Sequence, residues 1–148
     1  MLFRTPAWVY GLCRHKRRLK RGDMRITRQV VVLDAADLAA VSTFWAGVLG
    51  GHVVEDDDWH SVVDAEGAWR MGVQHAPDHV APDWPGGAPG QQVHLDLWVE
   101  DIDAAHAEVM ALGARVLQEA EESTEPDRFC VYADPAGHPF CLCWVVSC

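Results

Sequence analysis

Two stretches, VVVLDAADL at residues 30–38 and HLDLWVEDI at residues 94–102, lie 64 positions apart and decide the fold. Each begins as an apolar strand and ends near an aspartate, Asp37 in the first copy and Asp101 in the second. A short side-chain oxygen at this place can accept a hydrogen bond from the free backbone N–H groups of a helix that begins there. The same transition from strand to helix occurs twice, so the sequence predicts an internal duplication.

The residues after each aspartate follow the period of an amphipathic helix. Apolar side chains recur on one helix face in both copies, at Leu38, Val41, Trp45 and Val48 and at Ile102, Ala105, Val109 and Leu112. Each helix is expected to end at a glycine, Gly50 or Gly113, because a residue with positive φ commonly follows the last helical turn. The sequence thus predicts a helix in each half, preceded and followed by strands.

A turn recurs later in each half, DAEG at 64–67 and DPAG at 134–137. Strands are expected after these turns, at 69–75 and 139–146. Two shorter strands fit between helix and turn, at 52–56 and 58–64 in the first half and at 115–118 and 128–133 in the second. Each half is then a βαβββ module, and the fold class is α+β. The modules span about residues 25–75 and 92–146, joined by a Pro- and Gly-rich linker at 76–91.

Length and composition fit one globular domain, since 49% of the 148 residues are hydrophobic and 23% are charged. No apolar run approaches the roughly 18 residues of a membrane-spanning helix, so no membrane partner is expected. The cysteines are odd in number and form no CxxC pair, which favours a reducing cytoplasm over a disulfide framework. They are Cys13, Cys130, Cys141, Cys143 and Cys148.

Charge divides the chain at residue 23. Seven Lys and Arg against a single Asp give residues 1–23 a charge of +6, and because the whole chain carries −10, residues 24–148 carry −16. Such an acidic body repels phosphate backbones, so nucleic-acid binding is not expected. Three alternatives remain for residues 1–23: a tail for anionic partners, a disordered extension, or a translation start placed upstream of a true start at Met24. The domain proper is expected at 24–148.

The repeat, the linker sequence WPGGAPGQQVHLDL (84–97) and the ending DPAGHPFCLCW (134–144) together resemble the glyoxalase-like branch of the vicinal oxygen chelate superfamily, which also contains bleomycin resistance proteins and dioxygenases. The resemblance covers about residues 25–146. It implies two curled sheets related by pseudo-twofold symmetry around a cup-shaped cavity, with the helices outside. Members often pair their modules across a dimer, so a homodimer is an open alternative.

Strand alternation divides the residues at 93–99 between two faces. His94, Asp96 and Trp98 share one face, which is expected to line the cup. The other face is fully apolar and is expected to pack beneath the helices: Val93, Leu95, Leu97 and Val99. A few convergent polar groups in an apolar cavity are typical of a small-molecule site. The alternative is a polar cluster that only satisfies its own hydrogen bonds.

The resemblance also implies four positions at which metal-dependent members hold a divalent ion. In the second module these fall on His94, which matches, and on Cys141, where glutamate is usual. In the first module they fall on Val30, which cannot bind a metal, and near Gly72 or Gln74. An intact family-type metal site is therefore not expected, and any divalent ion that is bound would take its ligands from His94, Cys141 and Gln74. Asp96 could join them only in a different geometry.

Three functions are compatible with these residues. The first is a metal-independent protein that binds a small organic molecule, as a sequestering module or as an enzyme with acid/base chemistry from His94 and Asp96. Its pocket would contain Val30, Val32, Gln74, Trp98, Cys141 and Cys143. The second is a metal-dependent lyase, isomerase or dioxygenase of the glyoxalase kind. The third is a protein-interaction or regulatory domain with a vestigial cavity.

Other notable side chains are given structural roles. His138 is expected to serve the geometry of the turn at 134–137, and EDDD at 55–58 is expected to form a solvated hairpin turn. Trp59 and Trp69 could cover the mouth of the cup or lie in the core. The isolated histidines are expected at the surface or in loops: His52, His60, His75, His79 and His106.

Overall fold

The structure, a computed structural model, describes residues 24–146. The first module contains β1 (Val31–Ala35), α1 (Leu38–Val48), β2 (His52–Glu55), β3 (Trp59–Val63) and β4 (Trp69–His75). The second contains β5 (Leu95–Trp98), α2 (Ile102–Leu112), β6 (Arg115–Gln118), β7 (Asp127–Ala133) and β8 (Pro139–Val145). The predicted pair of βαβββ modules is confirmed. Within the described residues, no helix is long and apolar enough to cross a membrane.

Each module forms its own four-stranded sheet, and neither sheet closes into a barrel. The strand orders are β1-β4-β3-β2 and β5-β8-β7-β6. The first and last strands of each module run parallel, and the remaining pairs are antiparallel. We call the side of each sheet that packs on the helices the helix face, and the opposite side the cup face. The same topology occurs twice, as the repeat predicted.

Matching caps begin and end the two helices. The side chains of Asp37 and Asp101 accept hydrogen bonds of 3.0 Å from the backbone N–H groups of Ala40 and Ala104. The glycines that follow the helices have positive φ, 63° at Gly50 and 108° at Gly113. A side chain at either glycine would be strained in this conformation. The predicted boundaries of both helices are therefore confirmed.

The two modules share one hydrophobic core on their helix faces. The ring of Phe140 in β8 lies 5.7 Å from that of Phe44 and 5.3 Å from that of Trp45 in α1. Trp45 Nε1–H donates a 2.9 Å hydrogen bond to Asp134, which is buried in the turn before β8. The helices also touch, because a Cβ atom at Gly47 would lie 2.6 Å from the side chain of Leu112. The modules are thus joined through their helix faces.

The linker at 76–91 contains no helix or strand and lies against the last turn of module two. The His79 ring stands 4.8 Å from that of His138, and His79 Nε2 lies 3.1 Å from the carbonyl oxygen of Ala136. His138 Nδ1 in turn lies 2.9 Å from Asp134 Oδ2, which confirms its structural role in the turn. The linker at 76–91 therefore lacks regular structure, as expected, but it packs against the turn before β8.

The compact unit built from these elements begins at Val31, and the residues up to Val30 form a separate unit. Of that unit, 24–30 are described, and they contain no helix or strand. The expectations for the basic segment at 1–23, with Cys13, and for Cys148 lie outside the described residues. The three described cysteines, Cys130, Cys141 and Cys143, are free thiols.

Two expectations about individual side chains were wrong. His60 is 7% exposed rather than at the surface, because its Nδ1 lies 2.8 Å from the Ser42 hydroxyl, a polar partner supplied by α1 inside the core. Val93 is 70% exposed rather than packed beneath a helix, because β5 starts only at Leu95. His79 is half-buried against His138, whereas His52, His75 and His106 are exposed as expected. The acidic residues at 56–58 form an exposed turn between β2 and β3.

Candidate functional site

The register of β5 against β8 fixes which side chains share the cup face of module two. Asp96 pairs with Cys141, and Trp98 pairs with Cys143. Their alternating neighbours Leu95, Leu97, Phe140 and Leu142 belong to the shared core on the helix face. Cys141 and Cys143 instead form a separate apolar cluster with Val131 of β7. The predicted alternation of strand faces is therefore confirmed in both strands.

Three potential ligand groups meet on this face. Nε2 of His94 lies 3.3 Å from Oδ1 of Asp96, and the donor atoms of His94, Asp96 and Cys141 all lie within 4.8 Å of one another. His94 and Asp96 are exposed, with 41% and 52% of their side chains accessible, whereas Cys141 is buried. The structure thus brings His94 and Cys141 close together, although His94 precedes the strand instead of starting it.

The environment keeps both cup-face thiols protonated. Burial, followed by the carboxylate of Asp96, raises the pKa of Cys141 to about 12. Burial and the carboxylates of Asp96 and Asp127 also raise the pKa of Cys143. Because the thiolate is the reactive form, both groups are poor nucleophiles in the free protein. Their contribution to the site is a small apolar floor with weakly polar S–H groups.

Gln91 fixes the orientation of the His94 ring. Its Nε2 lies 2.9 Å from His94 Nδ1, and because an amide nitrogen only donates, Nδ1 accepts and the ring proton is on Nε2, facing Asp96. Gln91 Oε1 is buried and is the one such side-chain atom among residues 24–146 that lacks a hydrogen-bond partner. Sequence reasoning missed this residue. Its position three residues before His94, in GQQVHLDL, is the only indication the sequence offers.

An aromatic pair lies two residues further along the strands. Trp98 pairs with Cys143, and Cys143 pairs with Phe129 of β7, so the three residues form one row across the sheet. Trp98 is 60% exposed and Phe129 is 48% exposed. Trp84 of the linker and Leu117 of β6 pack against the neighbouring cysteine cluster. Phe129 was also missed, because only the register of β7 shows that it shares this face.

The positions of module one that correspond to Asp96 and Cys141 carry no polar side chain. Val32 pairs with Gly72, as Asp96 does with Cys141, so the register identifies Gly72 as the counterpart of Cys141. A Cβ atom at Gly72 would lie 2.5 Å from the ring of Trp59, which therefore fills the space above the glycine. The Trp59 indole donates a 3.0 Å hydrogen bond to Ser61 and packs edge-on against Trp69. Trp59 is therefore buried against the cup face of module one instead of covering the mouth of the cup.

The remaining predicted pocket residues lie in module one or before it. Val32 is 43% exposed on β1, and Gln74 is half-buried beside Asp34, two residues beyond Gly72 on the same face. Val30 is half-buried and precedes β1, in the separate unit that ends there. A donor for a metal is thus missing at Val30 and at Gly72. The four-ligand arrangement implied by the family does not fit this chain.

The family model of the glyoxalase-like domain matches residues 30–143, which is most of the chain. The chain belongs to the glyoxalase-like domain family. This family is part of the vicinal oxygen chelate superfamily, so the resemblance noted in the sequence is confirmed. No curated protein matches the chain.

Solved structures show the same glyoxalase-like fold. A glyoxalase/bleomycin resistance protein/dioxygenase family enzyme from Burkholderia phytofirmans PsJN is 16% identical, with a TM-score of 0.60, over 79% of this chain and 97% of that one. The fosfomycin resistance protein FosX from Listeria monocytogenes is 14% identical, with a TM-score of 0.61, over 82% and 94%. A glyoxalase-related enzyme from Fulvimarina pelagi is 16% identical, with a TM-score of 0.57, over 80% and 88%. At these identities the likeness concerns the fold of the domain.

Proposed function

We propose that this glyoxalase-like domain binds a small organic molecule on the cup face of module two, where His94 and Asp96 hold its polar group and exchange a proton with it. The observation that carries the proposal is the row Gln91–His94–Asp96, in which an oriented imidazole faces an exposed carboxylate. A carboxylate accepts hydrogen bonds, and an imidazole N–H donates one. A ligand with adjacent donor and acceptor groups satisfies both.

The Gln91 amide can hydrogen-bond His94 Nδ1 whether that nitrogen accepts or donates. The neutral ring accepts from the amide nitrogen of Gln91 at Nδ1. A protonated ring carries N–H on both nitrogens and needs an acceptor at Nδ1. Rotation of the Gln91 amide by half a turn would bring Oε1, now without a partner, to that nitrogen. An imidazole held in either state suits a general acid or base.

The aromatic row supplies an apolar part of the site. Adjacent strands lie about 4.8 Å apart, so the backbones of Trp98 and Phe129 are about 10 Å apart with the short side chain of Cys143 between them. This gap has the width for one flat ring between two aromatic walls. The ligand expected here combines a planar apolar group with a polar group at His94 and Asp96.

A thermal-shift screen of small organic molecules tests this proposal with a matched pair of variants. A ligand at 100 times its dissociation constant should add about 2.7 kcal/mol to the free energy of unfolding. His94→Ala should weaken binding of every such ligand about two- to tenfold, because it loses a hydrogen bond to a polar group. His52→Ala, which removes an exposed histidine from β2, should leave binding unchanged. Ligands that bind both variants equally would contradict the proposal.

A cation site is a second candidate function, and the approach of His94, Asp96 and Cys141 to within 4.8 Å favours it. Nitrogen, oxygen and sulfur donors of these types bind Zn²⁺, although all three come from module two. We expect protein purified without chelator to carry well under one equivalent of Zn²⁺, Ni²⁺, Mn²⁺ or Fe²⁺, measured by elemental mass spectrometry. One equivalent of metal that is lost in His94→Ala and retained in His52→Ala would instead establish the cation site.

We also propose that the domain forms a homodimer that covers the cup. Large apolar side chains on the cup faces are exposed in the single chain, including Val32, Trp98 and Phe129. Exposed apolar patches of this kind mark surfaces that bind another molecule. The helix faces are less suitable, because much of their apolar surface already joins the two modules. Sedimentation equilibrium should give the mass of two chains at micromolar concentration, and a monomer there would refute this proposal.

A further inference from the structure

A second cavity lies on the helix face of module two, behind the sheet that carries the cup. It has a volume of about 410 Å³ and opens between α2 and the strands β6 to β8. The polar and aromatic residues that line it are Asp103, His106, Glu119, Cys130, Tyr132 and Trp144. Small-molecule sites have volumes of roughly 300 to 1,000 Å³. The cavity therefore has the size of a ligand site, although neither His94 nor Cys141 belongs to it.

Its floor is a hydrogen-bonded cluster that the cup does not use. Nδ1 of His106 lies 2.9 Å from the hydroxyl of Tyr132, whose side chain is 1% exposed. Burial, followed by the neighbouring Cys130 and Glu119, raises the pKa of the Tyr132 phenol, so it stays neutral. The Nε2 atom of His106 is the ring nitrogen that Tyr132 does not engage. A ligand in the cavity thus meets an imidazole that the buried phenol of Tyr132 holds in place.

The charges around the cavity select the sign of its occupant. Asp103 and Glu119 both line it, and no lysine or arginine does so among residues 24–146. The whole chain carries −10, which adds a negative field at longer range. The half-buried Trp144 lines the same space, and an indole face attracts cations. Carboxylates and an indole together favour a cation with an apolar body over an anion of the same size.

We propose that this cavity is a second ligand site, separate from the cup, and that it binds organic ammonium ions with an apolar or aromatic body. The ammonium group would lie between Asp103 and Glu119, and the apolar body would lie against Trp144. Ile102 and Val116 provide the rest of the apolar lining. This proposal does not depend on any ligand being bound on the cup face.

Three probes of nearly equal shape test the charge preference. Phenethylammonium is the cation, 2-phenylethanol the neutral analogue and 3-phenylpropionate the anion. Each is titrated into the uniformly ¹⁵N-labelled protein, and amide and indole shifts are followed by NMR. We expect saturable shifts at α2, β7 and the Trp144 indole with the cation, and binding at least about fivefold weaker with the other two. Equal binding of all three probes, or no saturable shift with the cation, would overturn the proposal.

Charge-neutral variants locate the site. Asp103→Asn and Glu119→Gln should each weaken phenethylammonium binding about two- to fivefold, the range for an exposed ion pair. Glu108→Gln is the matched control, because Glu108 is also on α2 but lines a different cavity. Asp96→Asn is the control for the cup. A loss of binding in either control equal to that in Glu119→Gln would place the cation elsewhere and refute the second site.

Discussion

The two modules have the same fold but different cup faces. Both carry an aspartate cap, a glycine helix end and a parallel pair of first and last strands. On the cup face, Asp96 and Cys141 of module two correspond to Val32 and Gly72 of module one, where the ring of Trp59 covers the glycine. The comparison shows that the helix-face pattern determines the fold twice. The cup-face residues differ between the modules, and the cluster of His94, Asp96 and Cys141 lies in module two.

The largest effect is expected on the shared helix-face core. Phe140→Ala removes a fully buried ring that contacts Phe44 and Trp45 across the two modules. It should lower the free energy of unfolding by about 3–5 kcal/mol, measured by urea denaturation. Phe129→Ala, on the exposed cup face, should lower it by less than about 1 kcal/mol. Similar losses in the two variants would show that the cup face stabilises the fold as much as the helix face does.

The second-largest effect on stability is expected to differ between the equivalent turns of the two modules, at 64–67 and 134–137. Asp134 and Asp64 each accept two backbone hydrogen bonds within their turn, but only Asp134 also accepts one from Trp45. Asp134→Asn should therefore lower stability by about 1.5–3 kcal/mol, and Asp64→Asn by about 0.5–1.5 kcal/mol. Chemical denaturation at pH 7 measures both values. A larger loss in Asp64→Asn would contradict the role of Asp134 in joining the modules.

The contribution of Asp134 to the free energy of unfolding should depend on pH. Burial alone would raise its pKa, but the hydrogen bonds and charge of His138, together with the Trp45 bond, lower it below the ordinary value. The folded state therefore holds this proton less tightly than the unfolded chain does. The resulting stability is present above about pH 4 and is lost as the pH falls through the folded pKa. The difference between wild type and Asp134→Asn should shrink over that acidic range.

A smaller effect is expected from adding a methyl group to module one. Gly72→Ala places a Cβ atom 2.5 Å from the ring of Trp59, so the indole must move. The substitution should lower the free energy of unfolding by about 1–3 kcal/mol. Cys141→Ala, the matched change in module two, removes only a small sulfur and should lower the free energy of unfolding by about 1 kcal/mol. No loss of stability in Gly72→Ala would show that the Trp59 ring does not fill the space above residue 72.

The last effect concerns the reactivity of the cup-face thiol of Cys141 and not the stability of the fold. With a pKa of about 12, Cys141 has a very small thiolate fraction at pH 8. Its alkylation by iodoacetamide should be at least about a hundredfold slower than that of free cysteine. Asp96→Asn should accelerate the reaction, whereas Asp34→Asn in module one should not. Peptide mass spectrometry follows the modification, and rapid alkylation of Cys141 in the wild type would contradict the low-reactivity assignment.

The fold could be predicted from the sequence because local signals agreed with each other. Asp37, Asp101 and the glycines at the helix ends mark the same boundaries twice, and strand alternation placed Asp96 with Trp98 and Cys141 with Cys143. These inferences need only the period of a strand or a helix. These inferences are therefore correct without knowledge of contacts between residues that are distant in the sequence.

Parts of the site could not be predicted, because they depend on register and on partners far along the chain. The choice between Gly72 and Gln74 required the β1–β4 register, and an irregularity between Val62 and Val63 shifts the neighbouring pairing. The burial of His60 depends on Ser42, 18 residues away. Gln91 and the cavity on the helix face depend on side-chain positions that have no periodic signature.

The central claim is that the polar group of a ligand binds at His94 and Asp96 of module two and not at the acid of module one, and a matched pair of aspartates tests it most directly. Asp96 and Asp34 are exposed acids on the cup face of the first strand in their respective modules. Ligands found in the thermal-shift screen are remeasured with Asp96→Asn and Asp34→Asn. The stabilisation by ligand should fall by at least about 1 kcal/mol in Asp96→Asn and stay unchanged in Asp34→Asn. Equal losses in both variants, or a loss confined to Asp34→Asn, would contradict the claim.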